Sequence, residues 1–243
     1  MIKSSTLIFF FLLIISIPVL NLDADVDKSD WNDGIPDGCT TVTVGKKASF
    51  DGSVMTSHTD DSHRTRSWMD FSKRKRHKKN SRFSLYKRAK DDSHAMPTYK
   101  HVKIGEIPNK DISYGFLNTA YPCINEYQLA VGESTFGGRK ELQSDKGKID
   151  CQRLVQLMLE RCKTAREALE LTRVLTKKHG WNDAGECLTI SDKNEVWHLE
   201  ILGPGKGKIG SVWVAQRVPD GHVSVNANGS RIMEIDLEKS DYY

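Results

Sequence analysis

The sequence predicts an α+β domain built on antiparallel sheet. Short β-branched or alternating segments lie both before and after one long helical stretch, turns short enough for hairpins join them, and no internal repeat interrupts the order. With 243 residues, 38% hydrophobic and 28% charged, the chain is long enough for a substantial core and has the composition of a globular protein.

The elements follow in chain order. Lys3 precedes an apolar run from Leu7 to Leu22, and a small residue follows at Ala24. Residues 1–24 therefore read as a secretory signal peptide, because the run falls short of the ~20 residues that a spanning helix prefers. Residues 25–38 read as a pro-segment, since the stretch 23–37 carries six Asp and one Lys with no apolar period. Asp23, Asp25 and Asp27 alternate as in a calcium loop, but Lys28 stands where such a loop needs glycine. Cys39–Val44 is a β-branched strand, 45–52 is turn material and Ser53–His58 is a second strand. Residues 62–100 are polar and weakly periodic and are expected to form a basic loop or insertion. Strands are expected at Tyr114–Ala120 and Tyr127–Gly132.

Residues 149–179 are helical in two pieces. Leu154, Leu157 and Met158 share one face, Thr164 and Glu167 form a capping box, and Gly180 stops the second piece. Four further strands are expected at Cys187–Ser191, Glu195–Leu202, Ser211–Val218 and His222–Asn228.

The formal net charge of +4 is concentrated. Residues 73–90 hold ten Lys or Arg and no Asp or Glu, which leaves the remainder at −6. Aromatic residues do not interleave with Lys73–Arg82, and a secretory signal argues against a nuclear role, so no nucleic-acid partner is expected and the run reads as a solvated loop. Five cysteines, at 39, 123, 151, 162 and 187, leave at least one without an internal partner. No His/Cys spacing indicates zinc, and no metal or other cofactor is expected.

Cys39 stands at the start of a strand. Pairing Val44 with Ser53 would set Cys39 opposite His58 and bring Asp60 and Asp61 alongside. Cutting the Gly38–Cys39 bond would give this residue an α-amine with a pKa of about 7.7–8.0, close enough to neutrality to accept the thiol proton. Asp61 would then hold the amine, and Asn226 or Asn228, on one face of the last strand, would donate to an oxyanion. Ser134 in Gly132–Phe136 is a weaker nucleophile candidate, because Phe136 replaces the final glycine of a nucleophile elbow. Asn228-Gly229-Ser230 is also a glycosylation sequon, a reading that excludes Asn228 from an open site.

The stretch GCTTVTVGKKASFDGSVMTSHTDD (38–61) resembles the start of mature cysteine dipeptidases of the N-terminal-nucleophile (Ntn) hydrolase superfamily. That family includes lactic-acid-bacterial dipeptidases and the secernins. The likeness recurs in LNTAYPCINEYQLAVGESTFGGR (117–139), ERCKTAREAL (160–169), 183–228 and RIMEIDL (231–237).

The resemblance implies an αββα sandwich of which residues 39–243 are the N-terminal part. It also implies hydrolysis of dipeptides through an acyl-enzyme on Cys39. Asp61 is similar to the carboxylate near the amine, Asn228 resembles the oxyanion donor more than Asn226 does, and Asn125 is similar to a substrate-pocket residue. The role of His58 is open. A secreted or lysosome-like location is expected, with no membrane anchor once the signal is removed and with room for a homo-oligomer. An inactive secreted relative or fragment, and an amidase with other substrates, are the competing readings.

Overall fold

The computed structural model describes residues 38–62, 68–93 and 98–243, so the signal peptide and all but the last residue of the pro-segment lie outside the described residues. The strands begin with β1 (Gly38–Val44), β2 (Met55–Asp61), β3 (Asp70–Ser72) and β4 (Lys75–Arg76). A long hairpin follows, β5 (Arg82–Asp91) with β6 (Thr98–Pro108), and then β7 (Ile112–Ser113), β8 (Phe116–Asn118), β9 (Ile124–Asn125) and β10 (Ala130–Gly137). Two helices, α1 (Cys151–Arg161) and α2 (Ala165–His179), precede β11 (Gly185–Ser191), β12 (Val196–Leu202), β13 (Val212–Arg217) and β14 (Val223–Ala227). The fold is α+β, rich in sheet, with every strand ladder antiparallel.

Two sheets position the site. One has seven strands in the order β13-β12-β11-β10-β9-β8-β3, and the other has three in the order β14-β1-β2. The last strand therefore leaves its sequence neighbour β13 and pairs with β1, which brings residues 223–227 beside residues 40–44. On the large sheet, Val131, Leu188, Ile190, Trp197 and Leu199 share one face and join Leu154, Leu157, Met158 and Leu169 of the helices in a buried apolar core. The opposite face carries Gly132, Ser134, Cys187, Thr189 and His198, and it meets the small sheet. Gly132 permits that approach: a Cβ there would stand 2.8 Å from Thr189 Oγ1 and 3.1 Å from both Thr41 Cγ2 and His58 Cβ.

The helical pair matches the sequence reading. Thr164 Oγ1 accepts from Glu167 N at 3.2 Å, and Glu167 Oε2 reaches back to Lys163 N at 2.6 Å. Gly180 ends α2 at a φ of 70°. Asp150 caps α1 by accepting from Arg153 N at 2.8 Å.

The first hairpin differs from expectation. Val44 pairs with Met55 and Cys39 with Asp60, two residues beyond the expected register. The cause is the loop 45–54, which is tied to the β13–β14 turn through Gly45 N to His222 O at 2.9 Å and Lys47 N to Asp220 O at 2.8 Å. The loop is thus longer than a tight turn. A two-residue shift keeps each side chain on its expected face.

The basic segment also differs. Most of its described residues are extended, and β5 and β6 form a ten-pair ladder with a bulge at Leu85/Tyr86. The reason is an apolar anchor: Leu85 of β5 and Ile107 of β6 are fully buried and join the main core, holding a hairpin whose first strand carries four cations, Arg82, Lys87, Arg88 and Lys90. All five cysteines are unpaired.

Candidate active site

Cys39 lies at the start of β1 with its side chain buried between the sheets. Its backbone N–H donates to Asn228 Oδ1 at 2.8 Å, and its Sγ lies 3.1 Å from Glu133 Oε1 and 3.9 Å from Asp60 Oδ1. Ser134 Oγ sits 3.3 Å from Cys39 O and 3.2 Å from Asn226 Oδ1, and it accepts from Asn228 N at 2.7 Å. One hydroxyl thus ties the nucleophile's strand to β14. The thiol opens on a cavity of about 510 Å³ that is also lined by Gly38, Asp60, Asp61, Arg88 and Glu186.

Glu133 was not singled out by the sequence reading. The available signal was its place in the run Ala130–Gly137, where small and apolar neighbours surround one carboxylate. Such a group needs a partner when buried. Glu133 is 2% exposed, and β9 pairs with β10 only at Ala130, so the strand edge beside Glu133 is open.

The electrostatics are unusual for a cysteine nucleophile. Burial raises the Cys39 thiol far above its ordinary value, and the charge and hydrogen bond of Glu133, then Asp60, push in the same direction. Burial also acts to raise Glu133, but the nearby His58 imidazole and the hydrogen bond with Cys39 outweigh it and hold that carboxyl below its usual value. Glu186 moves the other way, well above the carboxylate range, through burial and the charge of Glu133. The two carboxyls are thus pushed in opposite directions, as expected when two acids share a site. Asp60 and Asp183 are raised too, first by burial. With residue 38 still attached, Cys39 is a protonated thiol among carboxyl groups.

The expected site residues distribute as follows. Asp61 lines the cavity but opposes Gly38 and points to the exposed face of β2, whereas Asp60 is the carboxylate facing the sulfur. Asn228, at a φ of 53° that asparagine tolerates, gives its oxygen to Cys39 N and its Nδ2 to Thr135 O at 2.7 Å. The sequon nitrogen is thus already bonded. Asn226 is buried with Nδ2 lacking a hydrogen bond. His58 stands behind Glu133, its Nε2 3.5 Å from Oε1, and its ring meets Tyr121 edge-on at 6.0 Å.

Asn125 is not brought to the cavity. It donates to Leu159 O and Cys162 O and accepts from Tyr127 N and Leu129 N, so all its capacity goes to holding the turn before β10 against the end of α1. Cys162 and Cys187 are each pushed up to about 12 by burial, and neither lines the cavity. Two groups, Cys39 with His58 and Glu133, and Glu133 with Cys151 and Glu186, offer ligand atoms within 4.8 Å of one another.

Arg88 enters this cavity from β5. It donates to Tyr121 Oη at 3.0 Å and stacks over the rings of Tyr99 and Tyr121 at 5.4 and 5.6 Å. Asp183 Oδ2 is 3.7 Å from its Nη2.

The family model for peptidase family C69 matches residues 38–243, beginning one residue before the buried cysteine. The chain is 32% identical over 215 residues to a probable dipeptidase of Latilactobacillus sakei, covering 84% of this chain and 42% of that protein. It is 29% identical to probable dipeptidase B of Lactococcus lactis subsp. lactis (strain IL1403), with the same coverage. It is 27% identical to a dipeptidase of Bifidobacterium longum (strain NCC 2705), covering 82% of this chain and 39% of the relative. The chain thus spans about two fifths of the length of these relatives. A match over the whole described range, from the cavity's own Gly38 onward, places the chain in peptidase family C69.

Proposed function

We propose that this chain is the precursor form of a cysteine-type dipeptidase with an Ntn-hydrolase arrangement, switched on by cleavage of Gly38–Cys39. The observation that carries the reading is that the nitrogen and the sulfur of Cys39 are held separately in one cavity, by Asn228 Oδ1 at 2.8 Å and Glu133 Oε1 at 3.1 Å. Relatives named as dipeptidases support the substrate class.

Cleavage would replace an amide by an amine at the same position. The neutral amine takes the thiol proton, and the ammonium formed lies among Asp60 and Glu133, whose charges stabilise it and, through it, the thiolate. The thiolate attacks the scissile carbonyl, the C–N bond breaks as the ammonium returns its proton to the leaving amine, and water hydrolyses the thioester. In this scheme the Asn228 oxygen positions the amine. Its Nδ2 must leave Thr135 O before it can donate to an oxyanion. The apolar N-terminal run supports delivery to the secretory pathway, where the acidic segment before Cys39 would be removed.

The test is the mass of the mature N-terminus together with turnover of a dipeptide panel beside simple acyl amides. A chain starting at Cys39 should hydrolyse dipeptides, and Cys39→Ala should reduce the rate at least about a thousandfold while leaving the fold intact. Dipeptide hydrolysis by a chain still carrying residue 38 would refute the amine-base mechanism.

A further inference from the structure

Among the described residues, five carboxyl groups line the Cys39 cavity, at Asp60, Asp61, Glu133, Asp183 and Glu186, and Arg88 is the one Lys or Arg that does so. Its side chain is 21% exposed. The nearby Asp183 carboxylate pairs with it only loosely. Asp183 Oδ2 accepts from Cys151 N at 3.1 Å and Oδ1 from Ala184 N at 3.0 Å, so both oxygens serve the start of α1 and its flanking turn. Its approach to Arg88, at 3.7 Å, is beyond hydrogen-bond length. Among the described residues, the one hydrogen-bond partner of the guanidinium is the Tyr121 hydroxyl. A planar fork of five donors is therefore held between two tyrosine rings at the cavity, with Asp183 as a loose ion-pair partner and donors left for a ligand.

A dipeptide is a zwitterion. Its ammonium suits the carboxyl-lined wall, and its terminal carboxylate needs a cation. We propose that Arg88, carried into the cavity by the β5–β6 hairpin, binds the free C-terminal carboxylate of the substrate, so that the basic segment sets the preference for dipeptides over longer or capped chains. This rests on the dipeptidase reading. It assigns to Arg88 a binding role, with Tyr99 and Tyr121 fixing the plane of the fork.

The experiment compares L-alanyl-L-alanine with its C-terminal amide, using the processed protein as wild type, Arg88→Gln and Arg88→Lys. Wild type is expected to prefer the free acid by roughly tenfold or more in kcat/KM, the discrimination a charge-assisted pair supplies. Arg88→Gln should bring the ratio close to one, mainly by raising KM for the free acid. Arg88→Lys, which keeps the charge and loses the fork, should fall between.

If Arg88→Gln slows both substrates equally, Arg88 only supports the hairpin and the proposal is wrong. If wild type treats the two alike, it is also wrong. Should wild type turn over neither, the dipeptidase reading has failed. Calorimetric binding of the same two compounds then decides the carboxylate site: the free acid must bind better to wild type, and Arg88→Gln must abolish that difference.

Discussion

The seven-stranded sheet has two unlike faces. The face toward α1 and α2 is covered by Leu, Ile, Met and Trp side chains, most of them fully buried. The face toward the small sheet is built of Gly132, Ser134, Thr189 and His198 against Thr41, Thr43, His58 and Asn226. Eight buried side-chain atoms lack a hydrogen bond among the described residues, and four belong to Thr41, His58, Asp60 and Asn226, between the sheets. Each such atom costs about 1–3 kcal/mol. Stability is thus concentrated on the helix side, and the thiol side is an unfavourable arrangement that the rest of the fold holds in place.

Removing apolar contact from the helix side should give the largest stability loss. Leu157 is fully buried on α1, and Leu157→Ala should cost about 2–5 kcal/mol in chemical denaturation. A cost under 1 kcal/mol would mean that the helices do not carry the fold.

The second prediction concerns pH. His198 lies on the thiol-side face, its Nε2 2.9 Å from Ser224 Oγ and its Nδ1 3.7 Å from Cys187 Sγ. Burial lowers its pKa from 6.5 to about 4. The unfolded chain therefore takes up this proton before the folded one does. The contribution is complete above pH 6.5 and is lost as pH falls toward 4, by about 3 kcal/mol at most. Unfolding curves of His198→Gln should lack that part of the acid loss; an unchanged pH profile would show that His198 titrates normally.

The two faces were also unequally legible in the sequence. The helix side could be read because its signals are local: Thr164 with Glu167, Gly180, and the spacing of Leu154, Leu157 and Met158 all act within two turns. The thiol side depends on long-range pairing. Cys39 was visible as a strand-start cysteine, but Asp60 came to face it only because the loop 45–54 docks on the β13–β14 turn. Glu133 and Arg88 lie 94 and 49 positions from Cys39 and arrive through strands whose neighbours the sequence does not announce. The β5–β6 hairpin was hidden by its own charge, since Leu85 and Ile107 are its only fully buried anchors among the described residues.

The third prediction sharpens the electrostatic contrast. In the unprocessed chain, Glu133→Gln removes the charge that helps raise the Cys39 thiol and leaves only a neutral amide oxygen as acceptor. The thiol pKa should fall, and its alkylation rate at pH 8 should rise at least about tenfold, which is one pKa unit. Burial, the largest cause, remains, so the thiol should stay above its ordinary value. An unchanged rate would assign the whole shift to burial.

The smallest effect should have the opposite sign to the first. Thr41 is fully buried between the sheets, and its Oγ1 makes no hydrogen bond. Thr41→Val replaces that hydroxyl by a methyl group of similar shape, so the variant loses an unpaid desolvation cost and no partner. Stability should rise by up to about 1 kcal/mol, while Leu157→Ala on the other face lowers it. A loss on Thr41→Val would mean that the hydroxyl is satisfied in solution, by a water or by rotation toward its own strand, and the thiol-side face would then be less strained than its unbonded atoms imply.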